Sequence, residues 1–393
     1  MCGELVRKTL LYSQRFTMPS VGGIHAGYDV VACDRCGFTF ADAPPSQEFF
    51  DSYYRAMAKK DEMLDPAADY AESAETVARN DHSAAQIIPQ IRSGDRVLDI
   101  GCYTGYLLSV IARKVPDAIL IGLDPSSFAA GVGKRRHDVD IRVGTVFDDM
   151  NLGTFDVVIA CHVLEHVADV RPFLATLRGL LAPQGKLYLE VPDAAGFSCR
   201  AGSRDQRAEP FFEFNFEHIN YFTATSLEYM LDANGFRAVS VASRTSTLPV
   251  LASVWTEKPL KYDPQSAANL SRYVEESRAI DAGVETTIRH FAERVKSYCV
   301  WGAGAHTQRL LARRIFEPRA IPFFVDSNSA LQGATLAGRP ILSPATLSDH
   351  ANLPVVISSF RHEREIRARL IAEGRPNEIL TLYGRFDEQL AAN

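Results

Sequence analysis

The sequence has little excess charge of either sign and no long hydrophobic run. Its 393 residues include 42 Lys and Arg against 48 Asp and Glu, which gives a formal net charge of −6. Nucleic acid and anionic membranes are therefore not expected as the main partner, because both attract basic proteins. No apolar run approaches the ~20 residues needed to cross a bilayer, and the first residues contain no apolar signal core. We expect a cytoplasmic protein.

The cysteines do not form the pattern of a disulfide framework. There are seven of them: Cys2, Cys33, Cys36, Cys102, Cys161, Cys199 and Cys299. The count is odd, and four of them fall inside predicted strands or ligand loops, so regular pairing is not expected. With 46% hydrophobic and 23% charged residues, the composition is that of a soluble globular protein. The length is sufficient for two or three domains.

A strand, a glycine turn and a helix are predicted around residues 96–115. Residues 97–100 form a short apolar run with Asp99 inside it, and the turn that follows contains Gly101 and Gly105. Apolar residues then recur at helical spacing, at Leu108, Ile111, Ala112 and Val115. Glycine lets the backbone approach a ligand closely, and the start of the helix offers free N–H groups. The turn is therefore a candidate nucleoside pocket.

The spacing of this turn distinguishes it from a dinucleotide-binding site. The dinucleotide fingerprint requires G-x-G-x-x-G, whereas three residues separate Gly101 from Gly105 and an acid precedes them. The next predicted strand, residues 118–123, ends at Asp124. A carboxylate at the tip of the second strand of a doubly wound fold hydrogen-bonds ribose hydroxyls. The motif thus predicts adenosine bound without a diphosphate clamp.

Residues 97–105 resemble the first motif of the class I S-adenosylmethionine-dependent methyltransferases. The resemblance covers roughly residues 70–240, since residues 155–166 resemble the fourth strand and the loop after it, and residues 181–190 resemble the fifth strand. It implies a doubly wound, Rossmann-like α/β core that binds S-adenosyl-L-methionine. The cofactor-binding residues expected from the turn and from the resemblance are Asp99, Gly101, Cys102, Gly105, Asp124, Val146, Phe147 and Cys161.

Two helices are predicted before this core. Residues 46–54 begin with the cap residue Ser46 and carry aromatic side chains on both faces, and a second helical pattern covers residues 70–91. In methyltransferases of this type such helices form a lid over the cofactor. Tyr53 and Tyr54 either reach the substrate or pack in the interior, with packing favoured for at least one of them.

The most unusual segment is the aromatic stretch of residues 209–222. It interrupts the alternation of strands and helices after the fifth strand and contains Glu213, Glu217 and His218. Aromatic faces with a carboxylate and an imidazole suit a substrate pocket, and an imidazole accepts protons near neutral pH. We take His218 as the candidate base and Glu217 and His166 as further catalytic residues. The alternative is that His218 is a core histidine bonded to the backbone.

Cys33 and Cys36 form one half of a zinc-ribbon knuckle. A predicted strand over residues 28–32 leads into this pair, but tetrahedral zinc needs four ligands, and Cys2 is the only further cysteine in the segment. Three interpretations stay open. One is a degenerate structural zinc site of Cys2, Cys33 and Cys36, with His25 as a further candidate. Another is a true start codon upstream, which would supply the missing cysteine. The third is a knuckle without metal.

The C-terminal third contains a second nucleotide-fold signature. A long helix is predicted over residues 261–296, followed by a strand whose turn carries Gly302 and Gly304. The next strand ends at Asp326, but Thr307 replaces the third glycine of the dinucleotide fingerprint. Further strand and helix patterns follow. These features predict a smaller Rossmann-like domain behind the methyltransferase core.

Together these parts resemble the sugar C-methyltransferases that act on nucleotide-linked deoxyketosugars. The predicted organisation is a zinc-ribbon-like segment over residues 1–45, a methyltransferase domain with its lid over 46–260, and a Rossmann-like substrate-binding domain over 261–393. The resemblance implies that the tail domain helps to hold the nucleotide-sugar. It also implies that a tyrosine-x-glutamate-histidine cluster moves the proton.

Carried over to this sequence, the family's Glu-His pair falls on Glu217 and His218, but Asn215 occupies the position of the tyrosine. The substrate-binding residues implied by the resemblance are Asn215, Tyr221, Trp301, Gly302 and Gly304. We therefore predict methylation of a nucleotide-linked sugar or related glycan precursor. C-methylation of a ketosugar is favoured, and the change at Asn215 leaves O- or N-methylation open.

Two alternatives come from other functional classes. One is an NAD-dependent oxidoreductase that uses the turn at Gly302 and Gly304, with the first domain binding the substrate. The other is a cofactor-binding scaffold without catalysis. Binding of S-adenosylhomocysteine and of NADH would separate these functions.

Overall fold

The computed structural model describes residues 7–16, 27–61, 72–148, 151–197, 210–241, 247–254, 263 and 265–384. Within these ranges the strands are β1 (Lys8–Arg15), β2 (Gly27–Cys33), β3 (Thr39–Asp42), β4 (Arg96–Ile100), β5 (Ile119–Asp124), β6 (Asp140–Val143), β7 (Phe155–Cys161), β8 (Leu181–Pro192), β9 (Asn220–Tyr221), β10 (Phe236–Val241), β11 (Thr247–Val254), β12 (Cys299–Trp301), β13 (Phe324–Val325), β14 (Thr335–Leu336), β15 (Arg339–Leu342), β16 (Val355–Ile357) and β17 (Ile379–Thr381).

The α-helices of the same ranges are α1 (Gln47–Asp61), α2 (Ala74–Ile87), α3 (Tyr106–Lys114), α4 (Ser127–Val132), α5 (Val170–Leu180), α6 (Ala224–Ala233), α7 (Ser266–Arg294), α8 (Ala305–Ala312) and α9 (Glu363–Ala372). In this part of the chain no helix has the length and apolar character needed to span a bilayer.

These elements fold into two compact units, and each unit draws on three separate stretches of chain. The described residues of the first unit lie within Met1–Thr9, Val31–Gly196 and Glu217–Asn269, and those of the second lie within Leu10–Val30, Phe197–Phe216 and Leu270–Asn393. The units therefore divide differently from the predicted boundaries after residues 45 and 260.

Aromatic packing explains why two short stretches join the second unit. Tyr12 stacks on Phe211 with ring centroids 4.5 Å apart, and Phe214 meets Tyr273 of α7 edge to face at 5.3 Å. These contacts join residues that are far apart in sequence. A division read along the chain does not anticipate them.

The first unit is built on a seven-stranded sheet with the order β10-β11-β8-β7-β4-β5-β6. The strands from β8 to β6 in this order are parallel, and β10 and β11 extend one edge as antiparallel strands. Leu98, Val158 and Leu187 are fully buried, as expected of strands covered on both faces. This confirms the predicted α/β fold with a parallel central sheet. The strand order reverses between β4 and β7, and open α/β sheets bind ligands at the carboxyl ends of such strands.

Short contacts hold the elements that border this edge of the sheet. Ser46 Oγ accepts a hydrogen bond from the Phe49 N–H at 3.2 Å, so α1 has the predicted cap. Gln47 Oε1 accepts from the Ala168 N–H at 2.9 Å, which ties the start of α1 to the loop after β7. β3 pairs antiparallel with β9, with Phe40 opposite Asn220. The pairing fixes the register of the residues around β9.

The second unit contains a six-stranded sheet with the order β14-β15-β13-β12-β16-β17. All neighbouring pairs are parallel except β14 and β15. Val284, Ile288 and Phe291 of α7 are buried in the same core as Val300 and Phe324, in keeping with the spacing seen in the sequence. The parallel strands again place their carboxyl ends along one edge.

Candidate active site

The turn after β4 has the backbone that its glycines require. Gly101 has φ +68°, and a Cβ at this position would lie 2.7 Å from Val163 Cγ2. Both the conformation and the space therefore favour glycine. Asp124, at the end of β5, accepts hydrogen bonds from the Tyr103 N–H at 2.8 Å and from the Ser126 N–H at 2.9 Å. These bonds fix the carboxylate beside the turn.

A cavity of about 390 Å³ opens beside this turn in the first unit. Four of the predicted cofactor-binding residues line it, namely Gly101, Asp124, Val146 and Phe147. The Phe147 ring is partly exposed and lies 6.1 Å from the ring of Phe173, which also lines the cavity. The cavity therefore combines a carboxylate at one wall with aromatic faces at another, a combination suited to a nucleoside.

The other four predicted cofactor residues do not line this cavity. Asp99 is 3% exposed, and burial together with the charge of Asp124 raises the pKa of Asp99 to about 8. A Cβ at Gly122 would lie 2.6 Å from Cys102 Sγ, so this thiol packs against β5. Burial raises the pKa of both Cys102 and Cys161. These side chains pack beneath the turn.

Gly105 supports the turn from the other side. It has φ +74° and directly precedes α3, and a Cβ there would approach Ile141 Cδ1 to 3.1 Å. Glycine is therefore favoured here by the left-handed backbone conformation of the residue that precedes α3 and by close packing on β6. The structure gives it a backbone role at the helix start.

The loop after β7 brings an acid between two imidazoles. Glu165 Oε1 lies 3.2 Å from His162 Nδ1 and 3.7 Å from His166 Nε2. Burial alone would raise the pKa of Glu165, but the hydrogen bond to His162 and the neighbouring His166 lower it to about 2. Burial lowers the pKa of His166, against the opposing effect of Glu165. The expected form at neutral pH is an ionised Glu165 beside a neutral His166.

Glu217 joins this loop to α1. Its Oε1 accepts a hydrogen bond from Tyr53 OH at 2.9 Å, its Oε2 accepts from Tyr54 OH at 3.4 Å, and Oε2 lies 3.7 Å from His166 Nδ1. Burial and the charge of Glu217 raise the pKa of both tyrosines, which therefore stay protonated as donors. Both tyrosines thus contact Glu217, one of the candidate catalytic residues.

The predicted catalytic residues lie together. His218 is partly buried, and its ring stands edge-on to that of His166 with centroids 4.9 Å apart. His166 and Glu217 line the cavity, whereas His218 does not. The structure therefore brings all three residues into one cluster and places two of them at its open side.

Backbone and amide contacts hold the two parts of this cluster together. The Ile219 N–H donates to Glu165 O at 2.9 Å. Asn220 Nδ2 donates to Leu164 O at 3.3 Å and to Val167 O at 2.8 Å. The two residues that follow His218 are therefore bonded to carbonyl groups on both sides of His166.

Two of the predicted substrate-binding residues lie away from the first cavity. Tyr221 is 1% exposed and its hydroxyl donates to His218 O at 2.9 Å, so it supports the cluster from the interior. Asn215 belongs to the second unit, where its carbonyl accepts from Tyr28 OH at 2.7 Å. Tyr221 is buried because it pairs within the β3–β9 ladder. Neither residue lines the first cavity, and their role in substrate binding stays a prediction.

The turn after β12 borders a second cavity, of about 610 Å³, within the second unit. Trp301, Gly302 and Gly304, the predicted substrate-binding residues of this region, line it. Gly302 has φ +112°, and a Cβ there would lie 2.7 Å from Ser358 O. Thr307 Oγ1 donates to Gly302 O at 2.7 Å, so the residue that replaces the third glycine braces the turn.

The predicted zinc site is described only in part. Cys33 and Cys36 are 7% and 1% exposed and lie in the apolar core of the first unit. The Gly37 N–H donates to Cys33 O at 2.8 Å, which closes a tight knuckle. Cys2 and His25 lie outside the described residues. Within the described ranges no set of three metal-ligating side chains includes either cysteine.

The predicted catalytic residues did not include His162, Glu165 and Asn220. The signal for the first two was present, because His162, Glu165 and His166 follow one another at spacings of three and one within a single loop. Tyr53 and Tyr54 were weighed as substrate contacts or packing, and the contact with Glu217 was not anticipated. No local pattern identifies Asn220, since its partners precede it by more than fifty positions.

Residues 70–241 match the family model described as "Methyltransferase domain". A ubiquinone biosynthesis O-methyltransferase of Rhizobium rhizogenes (strain K84) is 39% identical over 102 residues, which cover 24% of this chain and 40% of that protein. C-methyltransferase NovU of Streptomyces niveus is 25% identical over 301 residues, which cover 70% of this chain and 69% of that protein. The chain thus spans less than half the length of the first of these relatives.

Among solved structures, the complex of DhpI with SAH covers 52% of this chain and 95% of its own at 23% identity, with a TM-score of 0.36. The family match confirms the expectation of a methyltransferase domain over the predicted region.

Proposed function

We propose that this chain, whose residues 70–241 form a class I S-adenosylmethionine-dependent methyltransferase domain, methylates a nucleotide-linked sugar. The proposal rests on one observation: His166 and Glu217 line the same cavity that the glycine turn and Asp124 border, and His218 packs against His166. The name of the relative NovU, a C-methyltransferase similar along 70% of this chain, supports carbon as the acceptor. Asn215, in place of the family's tyrosine, keeps a hydroxyl acceptor as the second candidate.

S-adenosyl-L-methionine fits the cavity by the chemistry of its wall. Asp124 lies at the end of β5 and lines the cavity, and a carboxylate in this position suits ribose hydroxyls. Phe147 and Val146 offer apolar surface to an adenine ring. When bound, this cofactor supplies an electrophilic methyl group. The protein's remaining tasks are to align the acceptor and to remove one proton.

The proton goes to the pair of His166 and His218. His166 lines the cavity and burial lowers its pKa, so its ring is neutral and able to accept a proton at pH 7. His218 packs edge-on against that ring. Glu217, held by the Tyr53 hydroxyl at 2.9 Å, faces His166 Nδ1 and stabilises the imidazolium that forms. We therefore assign acid–base work to the pair and charge stabilisation to Glu217.

The second cavity, which lies within the second unit, is proposed as a nucleotide-binding site. Trp301 offers an aromatic face, although it is largely buried, and the turn at Gly302 and Gly304 brings backbone close to a ligand. Ser358 and Arg369 also line this cavity, and hydroxyl and guanidinium groups bind phosphate oxygens. The proposal assigns these residues to binding only.

The test begins with two calorimetric titrations of the full chain, one with S-adenosylhomocysteine and one with NADH. We expect binding of the first and no binding of the second; the reverse result would replace methyl transfer with the oxidoreductase alternative. Mass spectrometry then follows a nucleotide-linked 4-keto-6-deoxysugar incubated with the methyl donor. The expected product carries one added methyl group.

Solvent deuterium separates the two acceptor chemistries. A carbon acceptor must lose the proton next to the carbonyl, so in deuterated water with S-adenosylhomocysteine present the protein should exchange that proton for deuterium. A hydroxyl acceptor gives no such exchange. Exchange that persists when both His166 and His218 are replaced by alanine would remove these residues from the proposed chemistry.

A further inference from the structure

Three side chains of the catalytic cluster have the composition of a metal site. Glu165, His166 and His218 each offer one ligand atom, and these atoms all lie within 4.8 Å of one another. A carboxylate oxygen with two imidazole nitrogens is a ligand set that zinc takes, and three protein ligands leave one position open. Within the described residues this is the only such group.

Glu165 supplies an independent reason to expect a cation. The residue is 1% exposed, and its Oε2 has no hydrogen-bond partner among the described residues. A buried carboxylate oxygen without a partner is costly. Oε1, in contrast, lies 3.2 Å from His162 Nδ1. His162 contacts only Oε1, so a cation beside Oε2 would compensate the negative charge on that side of the carboxylate.

The surroundings orient the candidate ligands as metal sites usually do. Histidines that bind a metal commonly direct the other ring nitrogen toward a carboxylate. Here His166 Nδ1 faces Glu217 Oε2 at 3.7 Å, which leaves Nε2 on the side of Glu165. Glu217 is itself held by Tyr53 OH at 2.9 Å. Glu165 is therefore a candidate ligand beside Nε2 of His166, and Glu217 faces the other ring nitrogen, Nδ1.

We infer that Glu165, His166 and His218 bind a divalent ion of the zinc type. The ion takes the lone pairs of both imidazoles. These are the lone pairs that accept the substrate proton in the proposed reaction, so ion and proton compete for them and an occupied site is inactive. This inhibition rests on the proposed function, whereas the binding itself does not.

The binding test is a calorimetric titration of the metal-free full chain with zinc chloride. We expect a dissociation constant of about micromolar size. Binding should weaken by about tenfold or more in Glu165→Gln and in His218→Ala. His290→Ala, which removes an exposed histidine of α7, serves as the matched control and should bind as the parent does. Equal zinc binding in the parent, Glu165→Gln and His218→Ala would overturn the inference.

Cobalt separates this site from the cysteine knuckle. Co²⁺ on nitrogen and oxygen ligands gives visible d–d bands without the intense near-ultraviolet absorption that thiolate ligands produce. We expect the visible bands to disappear in Glu165→Gln. Cobalt spectra that show thiolate absorption alone would assign the ion to Cys33 and Cys36 and overturn the site.

Two further readouts keep the outcomes distinct. Glu165 is buried, so Glu165→Gln is checked by near-ultraviolet circular dichroism, and the partly buried His218 provides the second variant if the first fails to fold. Zinc should abolish methyl transfer and a chelator should restore it. Zinc binding without inhibition would overturn the competition, while a metal-free protein that binds zinc but transfers no methyl group would count against the proposed function alone.

Discussion

The two glycine turns have the same pattern of backbone hydrogen bonds to an acid, but the loops beside them differ. In the first unit the Tyr103 N–H donates to Asp124 at 2.8 Å, and in the second the Ala303 N–H donates to Asp326 at 2.7 Å. Each acid accepts a further backbone N–H two residues on, at 2.9 Å and 2.8 Å. The turn alone therefore does not specify chemistry.

The difference lies in the loop that follows the neighbouring parallel strand. After β7 this loop carries His162, Glu165 and His166, with Glu165 buried between the two imidazoles. After β16 it carries Ser358, Ser359 and His362, and His362 Nδ1 lies 3.0 Å from the exposed Glu365. A buried carboxylate between imidazoles therefore distinguishes the first loop, and it underlies the proposed assignment of proton transfer to the first unit and of binding to the second.

The strongest test of this difference replaces a histidine beside each turn. His166→Ala should lower kcat by about 1000-fold, since a positioned general base contributes roughly that much. His306→Ala, at the second cavity, should raise KM and spare kcat. Steady-state kinetics with the nucleotide-linked sugar measures both. If His306→Ala lowered kcat as severely as His166→Ala, the division into catalysis and binding would be lost.

The two strand-end acids offer the next test. Asp124→Ala should weaken S-adenosylhomocysteine binding about 100-fold, or about 2.7 kcal/mol, because it removes a ribose partner and frees two backbone N–H groups. Asp326→Ala serves as the matched control, and its affinity for the same ligand should stay within about twofold of the parent. Calorimetry gives both values. Similar losses in the two variants would contradict the placement of the cofactor in the first unit.

A smaller effect is expected within the second turn itself. Gly302→Ala should lower the free energy of unfolding by about 2 kcal/mol, because φ is +112° and the new Cβ would lie 2.7 Å from Ser358 O. Gly304→Ala is the control, since nothing lies within 4 Å of a Cβ there, and its change should stay within about 0.5 kcal/mol. Urea unfolding compares them. Equal stability of the two variants would show that the turn is less constrained than its geometry indicates.

The smallest expected difference concerns pH. Asp99 has a pKa raised to about 8 by burial and by Asp124, whereas Val300 takes the equivalent place two residues before Gly302. The folded state holds the Asp99 proton more tightly than the unfolded state, so stability falls as pH rises from about 4 toward 8. Asp99→Asn should remove that decline and gain a few degrees in Tm relative to the parent at pH 8. Parallel Tm profiles of parent and variant would refute this.

The parallel core was predictable because its signals are local. The turn at Gly101, the carboxylate at Asp124 and the cap at Ser46 each depend on a few neighbouring residues, and all three lie where the sequence indicates. The Glu217–His218 pair was expected from the family resemblance, whereas its contact with His166 was not anticipated. It could not be derived from spacing.

Other features depend on contacts between distant parts of the chain. Tyr12 joins the second unit because it stacks on Phe211, nearly two hundred positions away. Tyr221 faces the interior because of its register opposite Thr39. The Tyr53–Glu217 hydrogen bond spans 164 positions. A pattern along the sequence can predict that such residues are buried or functional, but it does not predict which distant residues they contact.

The hydrogen bonds from Asn220 and Ile219 to the loop after β7 determine how far apart His166 and His218 lie. The two histidines of the cluster are separated by fifty-two positions in the chain, yet the Ile219 N–H and the Asn220 side-chain amide, both next to His218, bond to carbonyl groups on either side of His166. The distance between the two imidazoles therefore depends on these contacts rather than on the number of residues between them.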